Sequence, residues 1–168
     1  SIRVAVILSY VIIVGLGFYL LIGAVVEELE PRYRESVEES LVDTATILAG
    51  VIGEQMQARG PLPASRLESI FTGIYERRLH AVIYDMVKTS VDLRVYVTDE
   101  KGFVRFHSHD PAEVDMNYSH WNDVHLTLQG RYGARSTSDD PTGKGPSVLH
   151  VAAPILVDGR IVGVVPVA

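Results

Sequence analysis

The sequence predicts an α+β protein: an N-terminal transmembrane helix and a long juxtamembrane helix, then a five-stranded antiparallel sheet with flanking helices. Three observations predict this architecture. Residues 4–26 carry no formal charge, the residues that follow repeat apolar side chains at helical spacing, and from Leu93 onward apolar residues recur at every second position. The domain organisation is therefore a membrane helix at 4–26, a juxtamembrane helix at 27–60 and a mixed domain at 61–168.

The uncharged run is long enough for a membrane helix. Its 23 residues would span about 34 Å as a helix, against a hydrocarbon core of about 30 Å. A secretory signal has a shorter apolar core and a small-residue cleavage site, whereas this run passes directly into Glu27 and Glu28. Because Arg3 precedes the run and acidic residues follow it, the positive-inside rule places residues 27–168 outside the cytoplasm.

Composition excludes several functions. Residues 27–168 hold 14 Lys and Arg (the chain's 15 without Arg3) against 21 Asp and Glu, a formal charge of −7. Such a surface does not suit nucleic-acid binding, which depends on clustered Lys and Arg. The chain has no cysteine, which excludes disulfides, thiolate catalysis and zinc–cysteine sites.

The juxtamembrane helix is predicted from one apolar stripe. Its members repeat at intervals of four and three residues: Val37, Leu41, Thr44, Leu48 and Val51. The stripe has two interpretations. The helix lies against its own domain, or it forms the seam of a homodimer and transmits a signal to and from the membrane helix.

The rest of the chain divides into short elements. A second amphipathic helix is predicted over 65–79, and the stretch 80–92 is ambiguous between helix and strand. A short helix is predicted over 120–129, capped by Asn117 or Ser119 and ended by Gly130.

Five strands are predicted from alternation and turn residues. They cover residues 93–98, 103–106, 131–137, 147–155 and 160–167, with an Asp158-Gly159 turn before the last strand and a Gly/Pro/Asp-rich loop at 138–146. We expect a meander, in which each strand pairs with the next and the short helix is inserted between the second and third strands.

Two segments carry a resemblance to a known family. They are Trp-Asn-Asp-Val at 121–124 and Gly-Arg-Tyr-Gly-Ala-Arg-Ser-Thr at 130–137, and the hairpin at 95–104 accompanies them. The chain resembles the CreC-type sensor histidine kinases of two-component systems, whose extracytoplasmic sensor domain is PAS-like (PDC or Cache). The resemblance implies a homodimer in the bacterial inner membrane with a periplasmic sensor at 61–168. It also implies a second anchor and a cytoplasmic kinase beyond Ala168, which would use ATP and Mg²⁺ and phosphorylate a response regulator.

This fragment itself is expected to have no enzymatic activity and no cofactor. None of its six histidines lies in the sequence context of a phosphoacceptor helix, and no Gly-rich ATP-binding segment or nucleophile motif is present. The alternatives are the same sensor on a chemoreceptor or cyclic-dinucleotide enzyme, or a membrane-tethered domain that binds a small ligand without signalling.

Candidate ligand contacts surround the short helix. An aromatic wall with one or two guanidinium groups suits a small carboxylate or phosphate, and the residues concerned are Tyr118, Trp121, Asp123, Arg131 and Arg135. The preferred alternative is structural: Trp121 anchors the helix to the sheet and Asp123 pairs with a nearby arginine. Tyr96 and His150 are secondary candidates. No metal site is expected, because the spacing of His107, His109 and Asp110 is not diagnostic.

Overall fold

The computed structural model describes residues 2–138 and 147–168, and the side chains of 26–33 lie outside the description. The chain divides into two compact units, Ser1–Glu39 and Ser40–Ala168. The loop predicted at 138–146 falls almost wholly outside the described residues.

The first unit is helical and strongly apolar. Helix α1 begins at Ile2 and ends at Arg59, and Ile2–Val25 has a mean hydropathy of 2.6 with none of its most apolar stretch buried. The hydroxyl of Ser9 donates to the carbonyl of Ala5 (2.8 Å), so it adds no unsatisfied polar group to this surface. The helix thus has the length and composition needed to cross a bilayer, as the sequence predicts.

In the second unit, α1 packs on one face of the sheet through small residues. Ala45, Ala49 and Ile52 are buried in a core with sheet residues. Each residue advances about 100° around a helix, so the predicted stripe lies roughly a quarter-turn from this buried line. Leu41, Thr44 and Leu48 are accordingly half-buried, and Val37 and Val51 are exposed. The helix lies on its own domain, and a seam between two chains stays a prediction.

Helix α2 (Ala64–Tyr75) packs beside α1 and buries Leu67 and Phe71. It ends four residues earlier than predicted, because the charged residues after Tyr75 supply no apolar side chain for the buried face. The ambiguous stretch forms a two-stranded hairpin of β1 (Ala81–Ile83) and β2 (Met86–Lys88).

The main sheet has five antiparallel strands, as the sequence predicts. They are β3 (Tyr96–Asp99), β4 (Val104–His107), β5 (Gly133–Ser138), β6 (Ser147–Val157) and β7 (Arg160–Val167). Their order is β4-β3-β7-β6-β5, so the predicted meander is wrong. The last five residues of β7 are all buried. A meander would leave this apolar strand at the exposed edge of the sheet, whereas in the central position both of its edges are hydrogen-bonded to other strands. The segment containing α3 (Asn122–Leu128) carries the chain between the two edges of the sheet.

Two predicted turns are confirmed. Asp158 and Gly159 both have positive φ (49° and 74°), as a type I′ hairpin turn requires. Gly130 (φ 72°) ends α3, and the N–H groups of Gly130 and Arg131 donate to carbonyls of the last helical turn, which is the Schellman arrangement.

The predicted N-terminal cap of α3 is wrong. The helix begins after Trp121 without a side-chain cap. Asn117 instead accepts a hydrogen bond from the N–H of Ser119 (2.9 Å). This local turn orients the chain ahead of the helix, which is a common use of Asn.

The C-terminal part of α1 touches the β6–β7 hairpin directly. A Cβ atom at Gly53 would lie 2.6 Å from the carbonyl oxygen of Leu156, so a side chain at this position would force the two elements apart. One turn further, the side-chain amide of Gln57 donates to the Asp158 carboxylate (2.9 Å). The helix and the hairpin therefore have a defined mutual position.

We predict that Gly53→Ala destabilises the second unit by about 1–3 kcal/mol, because the added methyl group meets backbone that must move. Gly50→Ala is the matched control: a Cβ there meets open space, and the change should stabilise the helix by about 0.5–1 kcal/mol. Urea unfolding followed by circular dichroism compares the two. Equal effects of the two substitutions would contradict the close contact at Gly53.

Candidate functional site

A polar pocket of about 340 Å³ lies on the sheet face opposite α1. It is bordered by α3 and by a 3-10 turn at Pro111–Glu113. Most of its lining residues are charged, histidine or aromatic: Arg94, Tyr96, His107, His109, Asp110, Glu113, Trp121, Arg135, Thr137 and His150. We call this site the polar pocket.

Strand alternation brings these side chains together. Tyr96 lies between two valines that are buried toward α1, so it projects to the opposite face. The strand register pairs Tyr96 with His107 and Arg135 with His150. Two cross-strand pairs from four different strands thus meet on one face.

A buried carboxylate organises the base of the site. Asp123 is 0% exposed and accepts hydrogen bonds from Nε of Arg135 (3.1 Å) and from the hydroxyl of Tyr96. Burial and the adjacent carboxylate raise the pKa of Tyr96 far above its ordinary value, so its hydroxyl remains a donor. A charge taken out of water needs such partners, because its desolvation costs several kcal/mol.

Trp121 and Tyr118 hold the arginine from the other side. The guanidinium carbon of Arg135 lies 3.9 Å from the ring centre of Trp121, and the rings of Trp121 and Tyr118 stack at 3.6 Å. An arginine that is paired on one edge and stacked on its face has a fixed orientation before any ligand arrives.

Gly133 permits this arrangement. A Cβ atom at this position would collide with the backbone oxygen of Asp123 and with the hydroxyl of Thr127. Strand β5 can therefore approach α3 closely enough for Arg135, two residues later, to reach Asp123.

His107, Glu113 and Tyr118 form a second polar cluster. Nδ1 of His107 accepts from the backbone N–H groups of Asp110 (2.8 Å) and His109 (3.2 Å), so the neutral ring carries its proton on Nε2. That nitrogen faces Oε2 of Glu113 at 3.3 Å, and Glu113 also accepts from the hydroxyl of Tyr118. Burial lowers the pKa of His107, although the Glu113 carboxylate opposes this effect.

The structure gathers most of the residues that the sequence singled out. Tyr96, Trp121, Arg135 and His150 line the polar pocket. Tyr118 and Asp123 lie immediately behind it, and Asp123 forms an ion pair with Arg135 (3.1 Å). Arg131 is exposed on the turn after α3 and does not line the pocket. Ligand binding at these residues stays a prediction.

Sequence reasoning missed six lining residues as pocket contacts: Arg94, His107, His109, Asp110, Glu113 and Thr137. Alternation could have identified Arg94 and Thr137, which lie two residues from Tyr96 and Arg135. Glu113 lies in a loop, where no periodic pattern indicates which way a side chain points. Among the described residues, no group of three His, Asp or Glu side chains is arranged to hold a metal ion.

A helix long and apolar enough to cross a membrane thus precedes an α+β domain that carries the polar pocket. The sensor domain of DcuS from E. coli has the same fold, with a TM-score of 0.52 over 80% of this chain and 88% of that domain at 16% identity. The sensor domain of the V. cholerae histidine kinase DctB overlaps 44% of this chain and 29% of that one at 19% identity with a TM-score of 0.38, which is too partial to define a fold. No protein-family model matches this chain.

A comparison of sequences identifies a more similar protein. Sensor protein CreC of Escherichia coli (strain K12) is 38% identical over 160 residues, which cover 95% of this chain and 33% of CreC. The chain thus spans about a third of the length of this relative. It is homologous to part of CreC and shares the fold of the DcuS sensor domain.

We predict that the stability of the second unit decreases as the pH falls below about 6.5, the ordinary pKa of histidine. The folded protein keeps His107 neutral to a lower pH than the unfolded chain does. The unfolded state therefore binds more protons in this range, and the free energy of unfolding falls. Urea unfolding across pH 5–8 measures this slope.

The comparison variant is His107→Asn, whose side-chain oxygen can accept the same two backbone N–H groups without titrating. The free energy of unfolding of this variant should change less steeply with pH than that of the unaltered chain. His80→Asn, at an exposed position, should retain the original slope. If His107→Asn left the pH dependence of the free energy of unfolding unchanged, His107 would not be its source.

Proposed function

We propose that the chain is the signal-input region of a membrane sensor histidine kinase in a bacterial two-component system. The apolar helix Ile2–Val25 would anchor it in the inner membrane, with residues 27–168 in the periplasm. The homology to CreC supports this proposal and favours it over a chemoreceptor or a cyclic-dinucleotide enzyme. Arg3, which precedes the apolar helix, supports the orientation.

The whole protein would bind ATP and Mg²⁺ in a cytoplasmic kinase domain and phosphorylate a response regulator. The residues that follow Ala168 test this part of the proposal. We expect a second apolar run, then a helix with a phosphoacceptor histidine and an ATP-binding domain. A different output domain in that position would overturn it.

The polar pocket is proposed to bind a small carboxylate or phosphate. The preoriented guanidinium of Arg135 is the observation that carries this proposal, because its fork of N–H groups matches the acceptor oxygens of such anions. Arg94, His109 and His150 add further nitrogen-bearing side chains to the lining.

The two carboxylates of the lining have structural partners. Asp110 accepts from the N–H of Ala112 and caps the 3-10 turn. Glu113 accepts from Tyr118 and faces His107. Protonation of His107 would turn this last contact into an ion pair and reduce the repulsion between Glu113 and an anionic ligand, so affinity should increase as the pH falls.

We predict that Arg135→Lys weakens anion binding about tenfold or more, because lysine cannot offer a planar pair of donors. The measurement is calorimetric titration of the full chain in lipid nanodiscs with inorganic phosphate and a panel of small mono- and dicarboxylates. Arg131→Lys, the same change outside the pocket, should leave the affinity unaltered. The proposal fails if no anion of the panel binds, or if both variants bind as the unaltered chain does.

The signal is proposed to pass through α1 to a second copy of the chain. The stripe that begins at Val37 and ends at Val51 would form the contact between the two helices. Val51 is 56% exposed on this stripe, and an apolar side chain in that position gains free energy when a partner covers it.

A single introduced cysteine tests this contact, because the chain has none of its own. We predict that Val51→Cys forms disulfide-linked dimers in membranes under mild oxidation. Thr46→Cys, which is exposed on the opposite flank of the helix, should not. Efficient linkage at both positions, or at neither, would contradict a seam along the stripe.

The same two variants also show on which side of the membrane positions 46 and 51 lie. A membrane-impermeant maleimide should label both cysteines in intact spheroplasts. Labelling only after lysis would place this part of the chain in the cytoplasm and refute the proposed orientation.

A further inference from the structure

A second cavity lies on the other face of the sheet, between α1, α2 and the strands. Its volume is about 510 Å³. Its lining is mainly apolar and includes Ile52 and Met56 from α1, Leu62 and Leu67 from the α2 region, and Val97 and Ile155 from the sheet. We call it the helix-side cavity.

The cavity opens to solvent at its charged rim and is large enough to hold a small organic molecule. An apolar cavity of about 150 Å³ already binds benzene, and ligand sites commonly measure about 300–1,000 Å³. The helix-side cavity lies within the range of ligand sites.

The rim of the cavity has a defined charge. Arg105 lies between two carboxylates: its Nε and Nη2 atoms are 3.0 and 2.7 Å from Oδ2 of Asp99, and Nη1 is 2.6 Å from Oδ1 of Asp115. All three residues line the cavity. One guanidinium between two carboxylates leaves a formal charge of −1 at the rim, which disfavours an anionic ligand.

The hydrogen-bond acceptors of the cavity lie at its rim. Asp99 and Asp115 place carboxylate oxygens there, and the side chain of Asp115 is 73% exposed. A ligand with one N–H or O–H group can therefore donate to a rim carboxylate.

We propose that the helix-side cavity binds a small, neutral, mainly apolar molecule that carries one hydrogen-bond donor. The apolar walls accommodate its body, and the rim carboxylates accept from its donor. An alkylphenol has this chemistry, whereas an alkylbenzoate of the same shape carries a negative charge.

This site is separate from the polar pocket in position and chemistry. The two sites share no lining residue, and Tyr96 and Val97, consecutive on β3, project to opposite faces of the sheet. An occupant of the helix-side cavity would contact α1 directly through Ile52 and Met56. It would therefore influence the proposed signalling helix without passing through the anion site.

The experiment uses the full chain in lipid nanodiscs with isotope-labelled Ile and Met methyl groups. Titration with 4-propylphenol should give saturable shifts of the Met56 and Ile155 methyl signals, with empty nanodiscs correcting for partition into lipid. The anion 4-propylbenzoate should bind at least about tenfold more weakly, a difference of about 1.4 kcal/mol. Absence of saturable shifts up to the solubility limit, or equal binding of the two compounds, would overturn the proposal.

A cavity-filling variant locates the site. Ala64→Phe places a ring into the lining, whereas Ser65→Phe adds the same ring at the exposed neighbouring position. The first should weaken 4-propylphenol binding about tenfold or more and the second should not. Equal affinity in both variants would refute the location. If Ala64→Phe does not fold, the comparison of the two compounds on the unaltered chain still decides the question.

Discussion

The buried carboxylate of Asp123 is the constraint on which the fold of the second unit depends. A charge with no exposed surface needs partners that stay in place, and these come from β3 (Tyr96) and β5 (Arg135), which are not adjacent in the sheet. The position of α3 relative to the sheet is thereby fixed by three elements at once. Breaking such a buried pair typically costs about 3–5 kcal/mol, so the orientation of Arg135 in the polar pocket follows from the stability of the fold.

The alternation of side chains in the central strands gives the sheet two chemically different faces. One face carries Tyr96 and the polar pocket, and the other carries Val97, the packed helices and the helix-side cavity. Strand β6 links the two sides along its length: His150 lines the polar pocket, and Leu156 lies against Gly53 of α1. A displacement of β6 at His150 would therefore change the contact of Leu156 with α1.

The sequence identifies local features more reliably than long-range ones. The Asp158-Gly159 turn, the Gly130 helix end and the five strands follow from turn chemistry and alternation, which are encoded by neighbouring residues. Strand order is not encoded locally, and the central place of β7 reflects its burial on both sides. The buried face of α1 was missed because alanines form it, and an apolar pattern gives them little weight. The aromatic and arginine residues around the short helix include the pocket-lining Trp121 and Arg135, but their pattern could not indicate that Glu113 turns inward from a loop.

The small size of the buried side chains on α1 bears on how the proposed signal could move. Burial contributes roughly 25 cal/mol per Å² of apolar surface, so Ala45 and Ala49 each fix the helix by less than a leucine would. Shifting a two-state population from 1:99 to 99:1 requires about 5.5 kcal/mol of differential binding. An interface built on large interlocking side chains would need far more than a small ligand supplies. The interface of α1 combines these alanines with buried Ile52 and half-buried Leu41 and Leu48. The proposed signal therefore requires a second packing that keeps these larger side chains covered, so that the difference between the two packings stays within the reach of such a ligand.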